Sequence, residues 1–209
     1  MPRYPTTPLW LKLSVSVLLL AATAWWVLDR SDRVGNEHRL SAIASQIAGR
    51  EVKVHCPGPL ARVFGGSTAE GWVKFDAAGK PADETKLRKT SCAELDALAE
   101  GGRAKELACT ERAGILCGRR GAELAMAVDV LTHESFHLRG IRDEAQTECS
   151  SLQTMAATAQ RLGTSATAGA ALARGQYAEA YPLMGEVYRS GECADGGALD
   201  LRPRDPRFP

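Results

Sequence analysis

The sequence is poor in aromatic residues and in histidine, and it has no excess of charge of either sign. Phe, Trp and Tyr make up 6% of the 209 residues, so an aliphatic core is expected. Lys and Arg number 26 against 25 Asp and Glu, which argues against a basic surface for binding nucleic acid. The chain also lacks the Gly-x-Ser-x-Gly motif of serine hydrolases and the Cys-x-x-Cys motif of redox and thiolate-zinc sites.

Six cysteines are present, and all of them follow an apolar run near the N-terminus. An even number of cysteines on the exported side of a membrane predicts up to three disulfides, whose pairing the sequence leaves open. The cysteines are Cys56, Cys92, Cys109, Cys117, Cys149 and Cys193.

The apolar run extends from Pro8 to Leu28 and is interrupted by Lys12. About 20 such residues match a bilayer core of about 30 Å, and Trp25 and Trp26 stand where indoles favour the membrane interface. Positive charges on its N-terminal side predict a single-pass anchor with a cytoplasmic N-terminus and an exported domain. Because Ala22–Ala24 resembles a signal-peptidase site, a cleaved signal peptide and a secreted domain are the alternative.

Composition and periodicity divide the chain into five segments. We predict a cytoplasmic N-terminus at 1–8, a transmembrane anchor at 9–28, a linker at 29–48, a disulfide-stabilised domain at 49–195 and an extended tail at 196–209. Within the domain, short alternating segments predict strands, with Trp72 expected in the core, and longer periodic segments predict helices. The fold class is therefore α+β and mainly helical, with a small antiparallel sheet followed by a helix pair.

The strongest chemical signal is the run from His133 to His137, which reads His-Glu-Ser-Phe-His. On a helix, histidines at positions i and i+4 lie one turn apart on the same face and can bind one tetrahedral zinc ion. Glu134 then stands beside the metal, where its carboxylate can take a proton from water. The surrounding helix, predicted over 122–139, is otherwise apolar, and charge in such a helix is costly unless a partner uses it. These residues predict a zinc site with His133 and His137 as ligands and Glu134 as the catalytic base.

This run resembles the zincin metallopeptidases, in two ways. Glu144 and Glu148 resemble the Glu-x-x-x-Asp/Glu helix of gluzincins, which implies Glu144 as the third metal ligand and Glu148 as the acid that orients a histidine, or the reverse. Asp143 then has the simpler role of N-cap for the second helix, with Gln146 three residues later.

The longer run from His133 to Asp143 also resembles the metzincin pattern His-Glu-x-x-His-x-x-Gly-x-x-His/Asp. That resemblance implies a chain turn at Gly140 and Asp143 as the third ligand. Both resemblances are confined to residues 133–148.

The resemblance implies a zinc peptidase that cleaves peptide or protein substrates. With the apolar run and the cysteines, the expected function is that of a membrane-anchored, extracytoplasmic zinc peptidase. In zincins an edge strand beside the active-site helix aligns an extended substrate, and Gly71–Phe75 is the segment predicted for it. Tyr177, Tyr181 or Tyr188 could supply the oxyanion donor that such enzymes use. Asp129, one turn before His133, could accept the second N–H of that histidine, or it could form a salt bridge with a nearby Arg.

The alternative is a non-catalytic, disulfide-stapled exported domain that docks a partner and whose metal site is structural or vestigial. A catalytic zinc site keeps one open coordination position, whereas a structural site closes with four protein ligands. The number of protein ligands therefore distinguishes the two hypotheses.

Overall fold

The computed structural model describes residues 9–57, 71–205 and 208–209. Contacts divide the chain into two compact units, residues 1–36 and 37–209. The described chain contains six α-helices and three strands. In chain order they are α1 (Leu9–Ala48), β1 (Lys53–His55), β2 (Gly71–Phe75), β3 (Pro81–Leu87), α2 (Lys89–Ala99), α3 (Ala104–Ala113), α4 (Gly118–Arg139), α5 (Glu144–Arg161) and α6 (Ala166–Gly175).

The first helix continues through the segment predicted to be a linker and ends at Ala48. Leu40, Ile43 and Ala44 in its last turns are buried in the core of the second unit. Among the described residues, none of the helices combines the length and the apolar character that a membrane crossing requires. The anchor predicted at residues 9–28 therefore gains no support from the structure.

The predicted sheet is present, but it is mixed rather than wholly antiparallel. Its strand order is β1-β3-β2, with β2 antiparallel to β3 and β1 parallel to β3. The tight turn at 76–80 joins β2 directly to β3 and requires these two strands to run in opposite directions. The first strand is separated from β2 by residues 56–70, and a connection of that length permits the parallel pairing, so the antiparallel prediction is wrong for β1.

Helix α4 lies at the centre of the second unit, and nearly every residue from Leu124 to Leu138 is buried. It contacts α2, α5 and the two strands of the hairpin, so its sides are covered by different elements. Arg50 fastens the sheet to the end of this helix, because its guanidinium donates to the carbonyls of Leu138 and Ala82 and pairs with Asp83. The sheet is thereby held beside the last turns of α4, where the predicted metal ligands lie.

After α6 the chain forms a π-turn at Gln176–Ala180 and two short 3-10 turns, at Tyr181–Leu183 and Glu186–Tyr188. We call residues 176–193 the C-terminal arm. Residues 192–205 form turns held against α5, where the Gln153 amide donates to the Leu199 carbonyl (2.9 Å) and accepts from the Leu201 amide (2.7 Å).

All six cysteines are paired, which confirms the prediction of three disulfides. The bonds are Cys56–Cys92, Cys109–Cys117 and Cys149–Cys193. The first ties the end of the β1 segment to α2, and the last ties α5 to the C-terminal arm. Disulfides persist in oxidising compartments, so the pairing places the domain outside the reducing cytoplasm.

Candidate metal centre

The hairpin between α4 and α5 brings the predicted ligands together. Helix α4 ends at Gly140, whose φ of +111° is a conformation that L side chains rarely adopt, and the Gly140 amide donates to carbonyls of the last turn. Helix α5 then begins at once, capped by Asp143, whose side chain accepts from the Gln146 amide at 2.8 Å. The predicted N-cap is confirmed, and the short connection returns the start of α5 to the motif on α4.

Three ligand atoms converge at this point. The Nε2 atoms of His133 and His137 are 3.0 Å apart, and each lies 3.2 Å from Oε2 of Glu144. Both imidazoles are buried, at 8% and 6% exposure, whereas the Glu144 side chain is 37% exposed. The cluster is therefore open to solvent only on the side of Glu144.

The outer nitrogen of each imidazole is already occupied by an acceptor. His133 Nδ1–H donates to Oε2 of Glu148 at 2.8 Å, and His137 Nδ1–H donates to the Ile141 carbonyl at 2.7 Å. In the neutral tautomers set by these acceptors, both Nε2 atoms present lone pairs to each other and to the Glu144 carboxylate. Three converging lone pairs repel one another unless a cation lies among them, either a proton or a metal ion.

The arrangement fits a tetrahedral metal ion. Ligand atoms about 2.0–2.1 Å from a zinc ion stand about 3.3 Å apart in a tetrahedron, close to the separations of 3.0–3.2 Å seen here. His133, His137 and Glu144 form the group of possible ligands found in the described chain, with all three ligand atoms within 4.8 Å of one another. Two imidazoles and one carboxylate suit zinc and leave a fourth position for water.

The other two carboxylates considered for the third ligand lie elsewhere. Asp143 caps α5, and Glu148, 2% exposed, holds His133 from the far side of the ring. Glu148 thus occupies the position of an orienting acid, which fixes the tautomer and the direction of the imidazole.

The expectation that Asp129 accepts from His133 is wrong. The Asp129 carboxylate accepts from the Ser151 hydroxyl at 2.6 Å and from the Gln176 amide at 2.9 Å. Burial, and next the charge of Glu148, raise the pKa of Asp129 well above its ordinary value. Oε1 of Glu148 is buried and accepts no hydrogen bond from the described residues. Sequence reasoning found neither Ser151 nor Gln176, because no pattern marks a single polar residue as the neighbour of a distant carboxylate.

The pKa of His133 reflects the crowding of acids around it. Burial lowers this pKa, but the hydrogen bonds to Glu144 and Glu148 and the charges of Glu148 and Asp129 outweigh burial and raise it to about 10. In the metal-free chain, a proton on His133 Nε2 therefore serves as the cation among the three lone pairs. A metal ion that binds there displaces this proton.

Glu134 lies beside the cluster with one oxygen unpartnered. Its side chain is 5% exposed, and Oε2 accepts no hydrogen bond from the described residues. Burial raises the pKa of Glu134 to about 7, a value suited to taking up and giving back a proton near neutral pH. Strand β2 covers this side chain so closely that a Cβ added to Gly71 would lie 2.7 Å from Glu134 Cγ. Glycine at position 71 is thus what allows the strand to run past the carboxylate.

The C-terminal arm brings one of the three predicted tyrosines to the site. The Tyr188 ring lies 5.9 Å from the His133 ring, and burial followed by the charges of Glu144, Glu134 and Glu148 raises the pKa of its phenol. Tyr177 donates to the Cys193 carbonyl at 3.0 Å, and the Tyr181 hydroxyl bonds the backbone of Ser190. Tyr188 is therefore the tyrosine of these three that is placed to donate to a bound substrate.

Comparison with known proteins adds no assignment: no family model matches the chain, and no curated protein or solved structure shows significant similarity to it.

Proposed function

We propose that the chain is an exported zinc-dependent peptidase with a zincin-like site. The observation that carries the proposal is the convergence of three lone pairs, from His133, His137 and Glu144, beside the buried and unpartnered carboxylate oxygen of Glu134. The first three groups would hold the metal. When bound, zinc supplies Lewis acidity, which polarises a carbonyl and lowers the pKa of water toward about 7.

The roles of the protein groups follow from their positions. Glu134 takes the proton that water loses on attacking the scissile carbonyl, and then gives it to the leaving amine. Its pKa of about 7 lets it act in both directions near neutral pH. Glu148 holds His133 in one tautomer through the bond at 2.8 Å. Tyr188 donates a hydrogen bond from its phenol to the oxyanion that develops on the carbonyl.

The sheet supplies a surface for an extended substrate. Strand β2 stands at the edge of the sheet, and two of its residues face the site: Gly71 covers Glu134, and the Phe75 ring lies 6.0 Å from the His137 ring. A peptide paired with this edge by main-chain hydrogen bonds would run along the metal cluster. This supports a peptide as the substrate class.

We also propose that residues 9–28 hold the exported domain at a membrane. The support is the apolar run from Pro8 to Leu28, with Trp25 and Trp26 near its end, together with the disulfides of the following domain. The full chain should remain in the membrane fraction after a high-salt wash, and removal of residues 1–28 should release it. Full-length protein in the soluble fraction at its unprocessed mass would contradict the anchor.

The first test is the metal content of the purified chain. The wild-type protein should hold about one zinc ion, and the His133→Ala/His137→Ala variant should hold none, because it lacks two of three ligands. His55→Ala is the matched control, since that histidine is 38% exposed and pairs with Glu37 and Glu84 away from the cluster. A folded wild-type chain that binds no supplied zinc would contradict the site.

The second test separates the enzyme from a non-catalytic metal domain. Glu134→Gln should keep the zinc but lower cleavage of a peptide library by about a hundredfold to ten-thousandfold. Glu123→Gln, an exposed change on the same helix, should leave cleavage unchanged. Bound zinc without cleavage by the wild type would favour the partner-docking alternative. The three ligands found in the described chain favour the enzyme, because a structural zinc site has a fourth protein ligand.

A further inference from the structure

The outer face of the sheet carries a cluster of two lysines around one indole. Trp72 was expected in the core, but it is only partly buried and faces outward between two exposed lysines. Lys74 Nζ lies 5.0 Å and Lys86 Nζ 5.6 Å from the centre of the Trp72 ring. We call Trp72, Lys74 and Lys86 the lysine–tryptophan cluster. It is formed by β2 and β3 together, since Trp72 is paired with Lys86 in the strand register.

This cluster lies on the opposite face of β2 from the metal centre. Successive side chains of a strand point to alternate faces, and Gly71 and Phe75 face Glu134 and His137. Trp72 and Lys74 therefore project from the other face of the same strand. A polypeptide paired with the free edge of β2 would likewise direct alternate side chains to the metal centre and to the cluster.

The ammonium groups of Lys74 and Lys86 are not neutralised by a carboxylate of the described residues. Neither Lys74 nor Lys86 forms an ion pair with another residue in the described part of the chain. Two like charges held around one ring repel each other, and the indole face offsets only part of that cost. An acidic side chain arriving beside them would relieve the repulsion.

We propose that the lysine–tryptophan cluster selects substrates that carry Asp or Glu at the alternate positions that face outward when the peptide pairs with β2. The inference rests on the proposed peptidase function. Directly opposed side chains on paired strands are about 4.5–5.5 Å apart at Cβ, so an acidic side chain on the added strand comes within reach of the Lys74 ammonium. A carboxylate two residues along the peptide is the next to face outward, beside Trp72.

An anionic lipid surface also attracts lysine and tryptophan, but the geometry favours a polypeptide. The cluster adjoins the edge of β2 that no described strand covers, whose main-chain groups can pair with an extended chain but gain nothing from a lipid headgroup. Because side chains alternate along β2, one bound peptide would contact both the lysine–tryptophan cluster and the side of the sheet that faces Glu134. A lipid surface would contact the cluster alone.

The experiment compares two matched peptides on the zinc-loaded full chain, one with Glu at two alternate positions and one with Gln there. The wild type should cleave the Glu peptide with a kcat/KM about fivefold to tenfold higher, mainly through KM, as expected of two exposed ion pairs. Lys74→Gln/Lys86→Gln should remove this preference while cleaving the Gln peptide like the wild type. Lys105→Gln, an exposed change on α3, should keep the preference.

Equal cleavage of the two peptides by the wild type, or a preference that survives in Lys74→Gln/Lys86→Gln, would overturn the inference while leaving the peptidase intact. If neither peptide is cleaved, the proposed function fails, and binding of both peptides to the zinc-loaded Glu134→Gln chain decides the inference alone. A lysine-dependent preference for the Glu peptide supports it. Equal binding, or lysine-dependent binding only to phosphatidylserine vesicles, overturns it.

Discussion

The candidate site is assembled from two regions that differ in how far apart their residues lie in the chain. The metal cluster and its orienting acid come from a single hairpin, residues 133–148, in which α4 and α5 are joined by a few residues. The surfaces that would meet a substrate come from β2, about 60 residues earlier, and from the C-terminal arm, about 30 residues later. The candidate metal ligands are therefore encoded locally, whereas the proposed substrate contacts depend on the tertiary structure.

Breaking the Cys149–Cys193 disulfide should produce the largest effect, and it should lower the stability of the chain without removing the metal ligands. The two cysteines are separated by 44 residues in sequence. Removing a cross-link that closes a loop of this length is expected to lower the unfolding free energy by about 4 kcal/mol. The Cys149→Ala/Cys193→Ala variant should unfold at lower urea concentration and yet keep about one zinc ion per chain. Loss of zinc from the folded variant would show that metal binding also depends on the C-terminal arm.

Removing the Tyr188 hydroxyl tests the contribution of the C-terminal arm to chemistry. Tyr188→Phe should lower kcat by about a hundredfold, the usual effect of losing one oxyanion donor, with little change in KM or in zinc content. Tyr177→Phe serves as the control, because that hydroxyl donates to the Cys193 carbonyl instead. An unchanged kcat in Tyr188→Phe would show that the Tyr188 hydroxyl takes no part in the reaction and that the C-terminal arm has a structural role.

Changing the orienting acid tests the hairpin without removing a ligand. Glu148→Gln should weaken zinc binding by about tenfold to a hundredfold, because His133 loses the carboxylate that sets its tautomer. Competition with a chelator measures this change. Glu123→Gln on α4 should bind zinc like the wild type, and an equal loss of affinity in that control would point to a general charge effect.

The pH dependence of stability should be the most gradual effect, because it is spread over several pH units. The pKa of His133 rises from 6.5 to about 10 on folding, so the stability contributed by its proton is fully present below pH 6.5 and is lost as the pH rises through 10. The raised pKa values of Glu134 and Asp129 act in the same direction.

In a chelator, the unfolding free energy should therefore fall with pH above 6.5, by at most about 1.4 kcal/mol per pH unit for each proton. Zinc replaces the proton on His133, so the stabilisation by zinc should grow over the same range. Urea titrations at several pH values, with chelator and with zinc, measure both slopes. A metal-free stability that rises between pH 7 and 9 would contradict the assignment of the proton.

The helical hairpin could be predicted from particular residues. Two histidines four apart place both rings on one face of any helix, and Asp143 followed by Gln146 marks the start of the next helix. The choice between Glu144 and Glu148 stayed open, because both side chains share one face of α5. The rotation and height of α5 against α4 bring Glu144 to the Nε2 atoms and Glu148 to Nδ1.

Trp72 shows why the rest could not be predicted. A tryptophan in an alternating segment is consistent with either face of a sheet, and the choice depends on which face α4 covers. The direction of β1 posed the same problem, since its pairing depends on where the connection of residues 56–70 returns the chain. Helix α3 escaped prediction because its sequence is largely polar and only Thr110 is buried.

The sequence by itself determined the metal-binding motif, the start of α5, the even set of cysteines and the mainly helical character of the domain. Each of these features depends on residues that are close together in the chain or on the composition, so it can be predicted without knowing the tertiary structure. The tertiary structure alone decided the mixed sheet, the disulfide pairing, the approach of Gly71 to Glu134 and the position of Tyr188 at the site. These depend on contacts between distant residues, which the packing of the whole core sets and no local pattern records.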